Sequence, residues 1–457
     1  MKIYLSLLSI LLSLFSLQAQ NFAGNWQGHL NAGGQELQLV FHIKKAADGF
    51  STTIDSPDQN AFGLAMQQTK IQNDSITIKA NFMEYQGQWK NDTISGIFIQ
   101  NGMQFPLQLT KEKSLGKSKD TAKSKRPQTP KAPFSYTVKE VSFYNAKDSI
   151  QLAGTLTLPK NKRDFPTLIL LTGSGPQDRD ETIMGHKPFL VLADFLTKNG
   201  IAVLRFDDRG TAKSEGDFMR SDAEDFVNDA TAAVNFLKNH PQINNERIGV
   251  LGHSEGGLVG SMLAAESKVV AFLVLLAAPG VSGKKLLLTQ LKDIAIAQGS
   301  NPMALAPQYN FNQKAFDIII NTSDTKVREA LVTYFEEQGI TSESQIEQLL
   351  KQFNLPFLKY LVRSQPSNYL EKIKIPVLAL NGEKDMQVNA EENLSAIQTA
   401  MQKAGNKQLT VKRYKDLNHL FQTAETGLPK EYGKIEETIA AQVLEDIKKW
   451  ILNLQTD

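Results

Sequence analysis

Continuous apolar runs of strand length, each followed by a stretch with helical spacing, limit this chain most strongly. Residues 165–173 (FPTLILLTG), 200–207 (GIAVLRFD) and 375–382 (IPVLALNG) place apolar side chains at successive positions, so both faces of each run must be buried. Between the first two, Phe189, Leu190, Leu192 and Phe195 recur at helical spacing. Phe226, Ala230, Val234 and Leu237 mark a second helix over residues 222–239, and VVAFLVLLAAPG and QLTVKRY supply two more strands before an amphipathic helix at 435–454. Doubly buried strands joined by helices predict an α/β fold over residues 134–457, with a mostly parallel sheet covered on both sides.

The chain upstream has a different texture. Residues 21–110 hold short alternating stretches (LQLVFHI, SITIKANF, TISGIFIQ, FPLQLT) separated by turn residues, with Asn101-Gly102 as a hairpin turn. They predict a small all-β, barrel-like domain. Residues 111–133 (KEKSLGKSKDTAKSKRPQTPKAP) carry many lysines and prolines and almost no bulky apolar side chain, as a solvated linker does. Residues 1–20 place one lysine before a leucine-rich run and end near the small Ala19. That run is shorter than the roughly 20 residues of a spanning helix. It reads as a signal peptide, so the mature protein is expected outside the cytoplasm, periplasmic or secreted, with no transmembrane anchor after cleavage.

Composition excludes several chemistries. A net charge of +2 over 457 residues gives no reason to expect a nucleic-acid partner. The absence of cysteine rules out disulfides, thiolate metal sites and a cysteine nucleophile. No metal or other cofactor is called for, and the sequence does not specify an oligomeric state.

Gly252-His253-Ser254-Glu255-Gly256 lies where a short apolar strand gives way to a helical stretch. In this G-x-S-x-G pattern the glycines relieve a sharp strand-to-helix turn that leaves the serine hydroxyl exposed. A serine hydroxyl needs a base, normally a histidine oriented by a carboxylate, and downstream of Ser254 the chain holds a single histidine, His419, in KDLNHLF. The loop after IPVLALNG offers Glu383 and Asp385 as the acid, with Asp385 favoured; Asp416, three residues before His419, reads as a solvated loop carboxylate. Two backbone N–H groups must then meet the developing oxyanion. The Glu255 N–H, directly after the serine, is one; the loop 172–176 supplies the other, from Ser174 or, second, Gly175. Asp208 and Arg209 in FDDRGTAKSEG read as braces for loops.

Taken in order, LTGSGPQDRD, RFDDRGTAKSEGD, GHSEGG, NGEKDMQV and NHLF resemble the α/β-hydrolase superfamily. They are most similar to secreted bacterial esterases of the EstD type, which also carry serine aminopeptidase and acylaminoacyl-peptidase-like names. The resemblance covers residues 135–457 and implies Ser254 as nucleophile, Asp385 as acid and His419 as base. Thr172 departs from it, standing where many relatives carry histidine, and this loosens the transfer of the oxyanion donor. Residues 21–110, with GNWQGHL and GMQFPLQLT, resemble a lipocalin-like module found ahead of several secreted serine hydrolases. Residues 283–370 read as several helices, among them 326–338 and 344–353. An insertion at this place is expected to be a lid, with Leu355, Phe357, Leu358 and Tyr360 as a pocket wall.

Three functions fit. The leading one is a cofactor-free carboxylic-ester hydrolase acting on small-molecule, short-chain acyl esters through an acyl-enzyme. The second is a serine peptidase of the aminopeptidase, acylaminoacyl-peptidase or prolyl-oligopeptidase kind, for which Glu336-Glu337 would be the candidate ammonium-binding pair. The third is a non-catalytic binding protein.

Overall fold

The computed structural model describes residues 22–32, 35–46, 49–56, 61–80, 83–90, 92–100, 103–111, 125–160 and 164–454. The signal-peptide reading, the Asn101-Gly102 turn and most of the linker lie outside them. The chain forms two compact units.

One unit holds nine antiparallel strands: β1 (Gly24–Ala32), β2 (Gln35–Ala46), β3 (Gly49–Ser56), β4 (Ala61–Ala65), β5 (Gln68–Gln72), β6 (Ser75–Ala80), β7 (Met83–Lys90), β8 (Thr93–Gln100) and β9 (Met103–Lys111). Their order, β4-β3-β2-β1-β9-β8-β7-β6-β5, joins the first strand to the last in the middle of the sheet. The sheet curls until β5 meets β3, where Thr69 Oγ1 donates to Thr52 Oγ1 at 2.9 Å. β8 and β9 pair antiparallel, with Gln100 opposite Met103. Alternate side chains point inward, among them Phe41, Ile43, Ile76, Ile78 and Ile94. Trp26 and Tyr85 are fully buried with their polar tips satisfied: Trp26 Nε1 donates to the Phe22 carbonyl at 2.8 Å and the Tyr85 hydroxyl to that of Ile94 at 3.0 Å.

The second unit carries an eight-stranded sheet: β10 (Thr137–Asn145), β11 (Ile150–Leu158), β12 (Thr167–Leu171), β13 (Ala202–Phe206), β14 (Ile248–His253), β15 (Phe272–Leu276), β16 (Val377–Gly382) and β17 (Leu409–Tyr414). The order is β10-β11-β13-β12-β14-β15-β16-β17. The strands from β12 onward run parallel, and β10 and β11 pair antiparallel at the edge. β12 to β16 include the runs read as doubly buried, and all their residues are buried. Alternation along β12 shows why. Leu168 and Leu170 pack with α1 (Pro188–Lys198) through Phe189 and Leu192, whereas Ile169 and Leu171 join the core on the opposite face.

That opposite face is covered by α2 (Ala223–Lys238) and α3 (Glu255–Glu266). α2 starts where the sequence predicts because Asp222 and Asp225 form a reciprocal capping box. Between β15 and β16 lie α4 (Gly283–Ala297), α5 (Pro302–Asn321), α6 (Val327–Glu337), α7 (Glu343–Phe353), α8 (Pro356–Arg363) and α9 (Ser367–Leu370). After β16 come α10 (Ala390–Lys403) and, at the end, α11 (Ala441–Leu452), which packs on the α1 face.

Two expectations need correction. The last helix begins at Ala441, not near Ile435, because residues 437–439 are drawn into contacts outside any helix: the Glu437 carbonyl accepts from Gln422 Nε2 at 3.0 Å, and Gln128 Oε1 accepts the N–H of Ile439 at 3.1 Å. The end of the lysine-rich segment, moreover, is not simply solvated. Arg126 donates to the carbonyls of Met184, Gly433 and Ile435 at 2.9, 2.8 and 3.1 Å, and so fastens residues 125–128 to this unit.

Candidate active site

The strand order reverses around β12, which lies between β13 and β14. The loops at the carboxyl ends of these strands therefore part and leave a crevice. Ser254 stands in it at the turn from β14 into α3, with φ 52° and ψ −120°. A non-glycine residue held in that region carries strain of about 1–3 kcal/mol. The flanking glycines make the turn possible: a Cβ on Gly252 would lie 2.1 Å from the Gly256 carbonyl oxygen, and one on Gly256 would lie 2.2 Å from that of Leu171. The amino terminus of α3 points at the serine, so its dipole favours negative charge there.

His419 follows β17 on a tight turn. Asn418, fully buried, accepts from the N–H groups of Leu420 and Gln422, both at 3.0 Å. His419 Nδ1 donates to Asp385 Oδ2 at 2.8 Å, while Asp385 Oδ1 takes the N–H groups of Gln387 and Val388, both at 2.8 Å. Three donors thus hold the carboxylate, and with Nδ1 carrying the proton, Nε2 is left with its lone pair. Asp385, not Glu383, meets the histidine. The Glu383 side chain is 45% exposed, and Asp416 pairs with Lys384 at 3.1 Å.

Ser254 and His419 line one cleft of about 270 Å³. Ser174, Glu255 and Gln177 share it with Leu286 and Leu287 of α4 and Phe357, Leu358 and Leu361 of α8. Of the residues expected in the wall, Phe357 and Leu358 line this cleft; Tyr360 donates instead toward Met262 Sδ at 3.7 Å. Glu336 and Glu337 are exposed at the end of α6 and do not line it.

The loop after β12 is held from below. Asp208 accepts from Thr172 Oγ1 at 2.6 Å and from the Gln177 N–H at 2.9 Å, which gives Thr172 its role and bears out the bracing role read for Asp208. Arg209 braces as well, donating to Asp229 at 2.7 Å and to Asp148 at 2.7 Å. The Gly173 N–H is committed to Glu181 Oε1 at 2.8 Å, and Gly175 adopts φ 91°. Glu255 is buried, which pushes its carboxyl above the usual range, partly offset by the Ser174 hydroxyl.

Sequence reasoning missed Glu181 and His253, which are buried beside the site. His253 contacts Glu181 at 2.9 Å and the His419 carbonyl at 3.0 Å, with the two histidine rings 4.8 Å apart. A histidine directly before the serine, and an acidic residue on the loop after β12, were the available signals. Among the described residues, no group of three or more His, Cys, Asp or Glu is placed to hold a metal ion.

Residues 187–425, just over half of the chain, match the model of the hydrolase family described as serine aminopeptidase, S33. The chain belongs to that family. It carries the family's α/β-hydrolase fold behind an antiparallel β unit. It is 27% identical over 303 residues to esterase EstD of Thermotoga maritima, covering 66% of this chain and 65% of EstD. It is 32% identical over 141 residues to thiohydrolase aneE of Aspergillus aculeatus, covering 30% of this chain and 41% of that one. The chain thus spans less than two thirds of the length of these curated relatives. Among solved structures, the Pyrococcus furiosus esterase Pf2001 aligns at 23% identity with a TM-score of 0.41, covering 69% of this chain and 92% of that one.

Proposed function

We propose that this protein is a serine hydrolase that cleaves carboxylic esters through an acyl-enzyme. The observation that carries the reading is the Asp385–His419 pair, at 2.8 Å, opening on the same cleft as a serine held on a strained elbow. His419 Nε2 takes the Ser254 proton as Oγ attacks the carbonyl, and Asp385 stabilises the imidazolium that forms. The N–H groups of Glu255 and Ser174 receive the oxyanion, since Gly173 is already engaged by Glu181. The imidazolium then protonates the leaving alkoxide, and water activated by the same ring releases the acid.

The cleft favours uncharged substrates. Among the described residues no lysine or arginine lines it, its polar wall includes the neutral amides of Gln177, Gln290 and Gln387, and α4 and α8 supply an apolar wall. We read those helices as the lid. EstD, an esterase by name, supports the ester reading. The family description supports a second reading, an aminopeptidase. It is disfavoured because Glu336 and Glu337 lie outside the cleft, while Glu181 within it is engaged by His253 and Gly173. The signal-peptide-like composition of residues 1–20 supports a proposal that this activity lies outside the cytoplasm. The purified protein should hydrolyse short-chain p-nitrophenyl esters far faster than aminoacyl anilides; the reverse order would install the peptidase reading.

A further inference from the structure

His253 has an acceptor at each ring nitrogen. Nδ1 lies 2.9 Å from Glu181 Oε1 and Nε2 lies 3.0 Å from the His419 backbone oxygen. The backbone oxygen carries no proton, and Glu181 Oε1, as a carboxylate oxygen that also takes the Gly173 N–H, is an acceptor. A neutral imidazole has one N–H and one lone pair, so it would set lone pair against lone pair at one of these contacts. Turning the ring over would place carbon atoms at both. Opposite an ionised Glu181, the doubly protonated ring is the form that satisfies both contacts; His253 is 6% exposed and Glu181 4%. Such a buried charge needs a partner, and Glu181 is there.

We propose that His253 is a positioning residue held as an imidazolium by Glu181, fixing the main chain of His419 and standing as a fixed cation beside its ring. This rests on His419 being the base. Burial opposes the charge on His253, but the Glu181 carboxylate, the hydrogen bond to it, the His419 carbonyl and Asp385 together push its proton affinity up. Other charged groups bear on the pair: Asp385 from the β16 loop acts on His253, and Asp208 from the β13 loop on Glu181. They remain in place when His253 alone is changed. A fixed positive charge about one ring away opposes the addition of another in the same pocket, and the pH dependence of turnover reads this out.

The test is the pH profile of kcat/KM in the full chain. His253→Gln keeps an amide donor for the His419 carbonyl and removes the charge. Its acid limb should move up by about two pH units, close to what is expected for unit charges roughly 5 Å apart at an effective dielectric of about 20. Glu181→Gln, which removes the counter-ion and with it the proton on His253, should move the limb less. An acid limb unchanged in an active His253→Gln protein would overturn the proposal. Nitrogen NMR of histidine-labelled wild-type protein gives a readout independent of activity and of the variants' folding. The ring in contact with His419 should show two protonated nitrogens at pH 8, and one bare nitrogen would equally overturn the proposal. If the ring is doubly protonated but His419→Ala still hydrolyses esters normally, the base assignment fails, and with it the role given to His253.

Discussion

Among the described residues inside the nine-stranded sheet, the buried side chains are apolar apart from Thr52 and Ser56, with Trp26 and Tyr85 giving their polar groups to backbone carbonyls. At the carboxyl ends of the parallel strands, Glu181, Arg209, His253, Glu255, Asp385 and His419 are all buried. Each such group costs desolvation, which a unit built only for stability avoids. The first interior therefore reads as architecture, and the second as a site whose groups are kept out of water for their chemistry.

The sharpest way to break this contrast is to damage each interior in turn. Ser254→Ala should lower ester turnover by about a millionfold and leave the melting temperature unchanged. Trp26→Ala should destabilise its own sheet by about 3–5 kcal/mol and leave turnover within about twofold. Loss of turnover in the Trp26 variant would mean that the β unit takes part in the chemistry. Within the site, Asp385→Asn should reduce kcat by about four orders of magnitude by favouring the wrong tautomer of His419. Glu383→Gln, on an exposed side chain, should change it by less than about twofold. Exchanged behaviour would reassign the acid.

Doubly buried strands and the serine elbow announce themselves in sequence because their physical demands are local. β12 to β16 need unbroken apolar runs, and the elbow needs glycine where Gly252 and Gly256 meet backbone oxygens. The contact between Asp385 and His419 could be anticipated from chain order and loop position. Features fixed by distant partners could not. β10, an edge strand largely exposed, has too weak an alternation to be read. Residues 437–439 stay out of the last helix because Gln422 and Gln128 hold their backbone groups. The Glu181–His253 contact joins residues 72 apart, and no local pattern encodes it.

Arg126 belongs to this hidden class and gives a smaller prediction. A chain beginning at Lys123 retains its three carbonyl contacts, whereas one beginning at Ala132 discards them together with Gln128. The shorter chain, and Arg126→Ala in the full protein, should melt about 5 °C lower, as expected for the loss of charge-assisted hydrogen bonds in a unit of this size. The chain beginning at Lys123 should keep full ester turnover. Equal melting of the two truncated chains would return residues 125–131 to the role of a passive tether.

The most direct test of the central claim is to treat the purified protein with a fluorophosphonate and map the adduct by peptide mass spectrometry. The account predicts one phosphonyl group per chain, on Ser254, at a rate that collapses in Asp385→Asn and is unaffected by Glu383→Gln. An adduct on another residue, or a Ser254 that stays unmodified while ester hydrolysis continues, would contradict it.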